Sequence, residues 1–143
     1  MVAGAVATVP MTVVMENARR RGLLKTPPPE EITDRALAST GTAASARQKQ
    51  RRTIAAVVHL GTGVVLGALF ALLPSPSRSF PRAVVGGTFG LWVYATNYFG
   101  AAPTARLMPA PAEDNPKRQV TTLVSHVVFG VTLAGLLRPR NDT

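Results

Sequence analysis

Charged and apolar positions along this chain fall in blocks rather than with a regular helical or strand period. Residues 53–73 (TIAAVVHLGTGVVLGALFALL), 83–102 (AVVGGTFGLWVYATNYFGAA) and 120–137 (VTTLVSHVVFGVTLAGLL) contain no Asp, Glu, Lys or Arg. As helices rising about 1.5 Å per residue they would be roughly 27 to 31 Å long, close to the ~30 Å of a bilayer's hydrocarbon core. The pattern predicts three transmembrane helices, since core helices of a soluble protein are normally shorter and keep a polar face. A fourth is predicted at the N-terminus, over about 2–18. Its apolar run VAGAVATVPMTVVM has no basic residue in front and Arg19, Arg20 and Arg21 behind, the reverse of a secretory signal peptide. That span would be short for a typical bilayer, so either it is tilted less than its neighbours or the natural start is expected upstream.

The segments between spans carry the charge. Residues 19–52 hold nine basic side chains, and 103–119 adds Arg106, Lys117 and Arg118, while Arg78, Arg82, Arg138 and Arg140 lie on the other side. By the positive-inside rule, 19–52 and 103–119 are expected to be cytoplasmic and both termini to lie outside. Within the first of these loops, KTPPPEEITDRALAS combines a proline start with early acidic residues, which predicts a short interfacial helix over 29–38. TGTAASARQKQ reads as a linker that turns helical near Arg51. The prolines of PSPSRSFP (74–81) and APTARLMPAPAEDNP (102–116) should end the spans they flank.

An internal match appears at an offset of 67 residues. QRRTIAAVVHLGTGVVLGALF from Gln50 falls on KRQVTTLVSHVVFGVTLAGLL from Lys117, pairing Arg51 with Arg118, His59 with His126, and Gly63 with Gly130. The fold expected is therefore all-α, a single integral-membrane four-helix bundle over 1–143. Its halves would be two parallel helix-pair repeats related about the membrane normal, or the match is fortuitous.

Composition narrows the chemistry. Charged residues make up 16% of the chain, against about 25% in soluble domains. The net charge of +9 flanks apolar helices, so anionic lipid headgroups account for it without a nucleic-acid partner. Cysteine is absent, which removes disulfides and thiolate metal sites. Ser125 and His126 adjoin with no acid in their span, and no Gly-Lys-Ser/Thr phosphate loop occurs, so no catalytic residues, cofactor or metal site are expected.

Polar groups in apolar surroundings remain. His59, Gly63 and Gly67 share one helix face, and Gly63-x-x-x-Gly67 and Gly86-x-x-x-Gly90 are small-residue packing stripes, with Gly130 at the repeat-equivalent place. Tyr94 and Asn97 come after Gly86 and Gly90 along their span. His59 and His126 lie at similar depth and are expected to face the protein interior, since imidazole in hydrocarbon needs a hydrogen bond. Each either fixes packing by bonding a carbonyl or a polar neighbour, or takes part in proton handling. Glu30 and Glu31 are sequence neighbours and read as a solvated first turn.

AGAVATVPMTVVM, then RRRGLL, PPPEEITDRAL, HLGTGVVLGALFALL and a closing SHVVFG, resembles the YagU-like group of small bacterial inner-membrane proteins of uncharacterised function. The resemblance rests chiefly on Pro28, Pro29, Glu30, Glu31 and Ile32, with His59 and Gly63, and His126 with Gly130. It implies a multi-pass protein of the bacterial inner membrane with no enzymatic activity to carry over, and the association of one relative with survival in acid draws attention to the histidines. Two functions are expected from these readings. One is a structural or accessory bundle, in contact with membrane lipids and with a second copy or a membrane-protein partner, docking through the Pro28–Ile32 loop. The other is a small pH-responsive channel or transporter using His59 and His126, with Asn97 and Tyr94 beside them.

Overall fold

A computed structural model describes residues 2–41, 47–73 and 81–137. All regular structure among them is helical. Helix α1 (Val2–Arg20) keeps its course through Pro10 and stops at Gly22, where φ is 73°. There the Gly22 and Leu23 amides bond back to the Arg19 and Ala18 carbonyls at 3.0 and 2.9 Å, a closure that needs a residue tolerant of the left-handed region. Helix α2 (Pro28–Ser39) starts on two prolines, whose missing amides would have had no acceptor in a first turn anyway. Its bounds agree with the short helix expected over 29–38.

Helix α3 (Gln48–Leu72) begins ahead of the charge-free block because the Gln50 side chain accepts the Arg47 amide at 2.8 Å, so Arg51 and Arg52 ride on the helix. Residues 42–46 of the linker and 74–80 of the outer loop lie outside the described residues. Helix α4 (Arg82–Ala95) starts directly after Pro81 and runs into a π-helical segment, Thr96–Ala101, then one α-turn, Ala102–Thr104. The last helix, α5 (Pro116–Leu136), is capped by Asn115, whose side chain accepts the Lys117 amide at 2.9 Å.

Two of these helices, α3 and α5, are long and apolar enough to cross a membrane. The charge pattern predicts four. The π-helical segment divides the third, and the first ends in Glu16, Arg19 and Arg20.

Packing tracks the small residues. Helix α1 packs on α3 and α5, and α5 packs on α4, while α2 lies against α3. A Cβ on Gly63 would stand 2.9 Å from the Gly4 carbonyl oxygen and would strike Thr8, and one on Gly67 would stand 2.7 Å from the Gly4 Cα. As residue numbers rise on α1 they fall on α3, so this pair is antiparallel. In the second antiparallel pair, a Cβ on Gly86 or Gly130 would collide with the other's carbonyl oxygen, and one on Gly90 with that of His126. The two contacts share the positions paired by the internal match, Gly63 and Gly130.

The outward faces are large and apolar. Val2, Val6, Val9 and Val13 form the exposed stripe of α1, and on α3 Val65 is 67% exposed. The buried stripe of α1 is Gly4, Ala7, Thr8, Met11, Met15 and Ala18, and α5 buries Thr122, Ser125, His126 and Gly130. Small and polar groups are inside together with Met11, Met15, Phe89, Val93, Phe129 and Leu133, and many branched aliphatics are outside. So much apolar surface left outside is unusual for a protein folded by water, in which burial of such side chains drives packing.

Candidate functional site

A cavity of about 390 Å³ lies where α1, α3, α5 and the π-helical segment surround an opening, with α2 across one end. Its apolar wall includes Met11, Met15, Leu66, Val93 and Phe129, and among the described residues no Asp, Glu, Lys or Arg lines it. Helices α3 and α4 both border the cavity without packing along each other. A ring contact, Phe70 edge-on to Phe89 at 4.9 Å, joins them near the end away from α2.

Polar groups converge here from four elements. His59 and Thr62 come from α3, Thr8 from α1, Thr96 and Asn97 from the π-helical segment, and Thr122 and His126 from α5. Three hydroxyls donate to carbonyls of their own helices: Thr8 to Ala5 at 2.6 Å, Thr62 to Val58 at 2.9 Å and Thr96 to Trp92 at 2.9 Å. His126 Nδ1 lies 2.8 Å from the Thr122 carbonyl oxygen. A carbonyl only accepts, so Nδ1 carries the proton, and in the neutral ring Nε2 is an acceptor. His59 Nε2 and Thr122 Oγ1 are buried without a partner among the described residues.

The π-helical segment adds a residue to its turn, which rotates the residues after it and is a frequent mark of a functional position. Here it brings Asn97 to the cavity while Tyr94, one turn earlier, is buried behind it. Tyr94 stacks on Tyr98 at 5.0 Å and stands edge-on to His126 at 5.8 Å. Of the four polar residues singled out by sequence, His59, His126 and Asn97 meet at the cavity and Tyr94 supports its wall. Thr122 was missed, although it precedes His126 by one helical turn and so shares its face.

The end closed by α2 is an ion-pair cluster. Arg118 reaches Glu31 of α2 at 2.6 Å and Asp114 at 3.4 Å, and the Tyr98 hydroxyl donates to the Asp114 carboxylate. Arg51 pairs with Asp34 at 3.6 Å and Arg52 with Glu30 at 3.9 Å. Arg51 and Arg118, matched by the internal repeat, thus both hold acids of α2. Below them Pro28 is buried, and Pro28, Pro29 and Ile32 floor the cavity.

This corrects the reading of Glu31 as solvated. It packs inward because α2 lies across the start of α5, where Arg118 is largely buried and needs a counter-charge. In the sequence Asp114 and Arg118 have the i,i+4 spacing of an ion pair, but nothing ties Tyr98 or Glu31 to them.

The chain belongs to a family of unknown function (DUF6789), whose model matches residues 1–141. No curated protein and no solved structure matches it. The family shown is thus this one, and nothing in these matches ties the chain to the YagU-like group.

Proposed function

We propose that this protein is a non-enzymatic integral membrane bundle of four spans, about 2–18, 53–73, 83–102 and 120–137. It would sit in the bacterial inner membrane with 19–52 and 103–119 at the cytoplasmic face, in a structural or accessory role. The observation that carries this reading is the distribution of side chains on the long helices: glycines and hydroxyl or imidazole groups sit inside beside an apolar core of Met11, Met15, Phe89, Val93, Phe129 and Leu133, while many valines and leucines face outward. In lipid, helices gain nothing from hiding valine from tails that are equally apolar, so close backbone approach and interior hydrogen bonds hold them together. The glycine contacts and the hydroxyl-to-carbonyl bonds supply both. The exposed apolar faces serve contact with lipid or with a second copy or membrane partner. Residues Pro28 to Ile32 contribute to such docking through the outer side of α2, since their inner side is engaged.

Trp92, the sole tryptophan, tests the placement directly. It is half exposed on α4, and ten residues past Arg82 it stands about 15 Å into a ~30 Å core. In vesicles its fluorescence should be quenched most strongly by lipids brominated deep in their acyl chains and little by aqueous iodide. Efficient iodide quenching with no effect of brominated lipid would remove the membrane reading.

A second reading has its own support, in that His59 and His126 border the same uncharged cavity. In it the pair lines a pH-responsive path. Replacing each histidine by glutamine in proteoliposomes separates the two: unchanged proton flux with altered assembly is the structural role, and lost pH-dependent flux with intact assembly is the path.

A further inference from the structure

We propose that the cavity binds an uncharged, bilayer-dissolved molecule with a hydroxyl head and an aliphatic body, admitted sideways between α3 and α4. The inference rests on the membrane reading, because the ligand must come from the lipid phase.

Volume, charge and polar chemistry agree on this class. A space of about 390 Å³ is within the usual range for small-molecule sites. The described lining has no side chain to pair with an ion, and an unpaired charge in such a place is strongly disfavoured, so the occupant is neutral. Three polar atoms belong to residues of its lining. His126 Nε2 is an acceptor once Nδ1 donates to the Thr122 carbonyl, and His59 Nε2 and Thr122 Oγ1 have no partner among the described residues. A hydroxyl has one proton and two lone pairs, so it donates to an imidazole nitrogen and accepts from the threonine. Leaving such groups unmatched in a buried site is costly, and a ligand that satisfies them gains by that amount.

The apolar part fits the remaining wall. Met11 and Met15 have unbranched side chains that conform to flexible partners, and Leu66, Val93 and Phe129 continue the surface toward the gap between α3 and α4. That gap has the Phe70–Phe89 contact at one end and α2 at the other, and α3 is tied to the remainder through α1 and α2. Lateral access needs a seam whose helix backbones are not closely packed, and the α3–α4 seam borders the cavity in that condition, bridged by the Phe70–Phe89 ring contact.

The test uses the full chain in lipid nanodiscs and a diazirine-bearing long-chain fatty alcohol, with adducts mapped by mass spectrometry. Expected is saturable labelling centred on Met11, Met15 and Leu66, competed by dodecanol and not by a fatty acid held in its carboxylate form. Leu66→Trp, which fills the space, should lower the saturable labelling about tenfold. Thr122→Val, nearly the same shape without the hydroxyl, should weaken competition by dodecanol while leaving assembly unchanged. Should the tryptophan variant fail to accumulate, the competition in the wild-type chain and the valine variant still decide.

Labelling that never saturates and spreads over Val57, Val65 and Val120 overturns the proposal, as does equal competition by the carboxylate. Either result leaves the membrane reading intact. Trp92 quenching by iodide instead of brominated lipid removes that reading itself.

Discussion

Gly130→Ala is expected to destabilise the protein by about 3 kcal/mol or more, whereas Gly135→Ala, on the same helix, should be neutral or slightly stabilising. The added methyl at 130 would collide with the Gly86 carbonyl oxygen and approach the Gly90 amide nitrogen to 2.8 Å. Both are backbone atoms and cannot rotate away, so α4 and α5 must separate, and with them the contact that holds His126 beside Gly90. At Gly135 the same methyl meets nothing within 4 Å. It adds only helix propensity, worth up to about 1 kcal/mol in water. Thermal stability in detergent, read as the fraction remaining monodisperse after heating, ranks the two variants against the parent. Equal loss in both would mean that α4 and α5 do not meet at these glycines.

Arg118→Gln should release α2 from the cavity end, where Arg35→Gln does not. The Arg118 side chain is 14% exposed and its partner Glu31 is 18% exposed, so the substitution leaves a largely buried carboxylate short of its nearest cation, a loss of about 3 kcal/mol. Arg35 also meets Glu31, at 3.0 Å, but is 44% exposed, and such surface pairs contribute under about 1 kcal/mol. Hydrogen exchange of the amides from Glu31 to Ser39 measures the difference. Those amides should exchange much faster in Arg118→Gln and at nearly the parent rate in Arg35→Gln. Similar protection in both variants would show that α2 is held by its apolar floor, Pro28, Pro29 and Ile32, rather than by charge. The same experiment at high salt bears on the outer pairs of Arg51 and Arg52, since screening weakens exposed ion pairs more than buried ones.

Much of the helical plan was legible because long charge-free blocks are a one-dimensional signal. Blocks of about 20 residues without charge announce themselves in any sequence, and the proline start at Pro28 marks local backbone chemistry that does not depend on neighbours. Spacing also placed Gly63, Gly67, Gly86 and Gly90 on helix faces, since the helical repeat of about 3.6 residues per turn is a property of the backbone. The π-helical segment Thr96–Ala101 escaped, because nothing in TNYFGA distinguishes it from an ordinary α-turn. Asn97 and Tyr94 were expected beside the histidines, but that Asn97 lines the cavity while Tyr94 stands against His126 behind it depends on that segment.

Sequence by itself determined which segments are helices, which of their faces are small or apolar, and that two imidazoles lie at similar positions along matched helices. Only the tertiary structure decided that Gly4 is the partner of Gly63 and Gly67, that Glu31 belongs to Arg118, and that His59, Asn97, Thr122 and His126 surround one cavity. The physical reason is that faces and spacings come from local helix geometry, whereas partnerships depend on the order in which helices pack. Here that order runs α3, α1, α5, α4, so neither histidine-bearing helix lies flat against the other and the space left between them becomes the site.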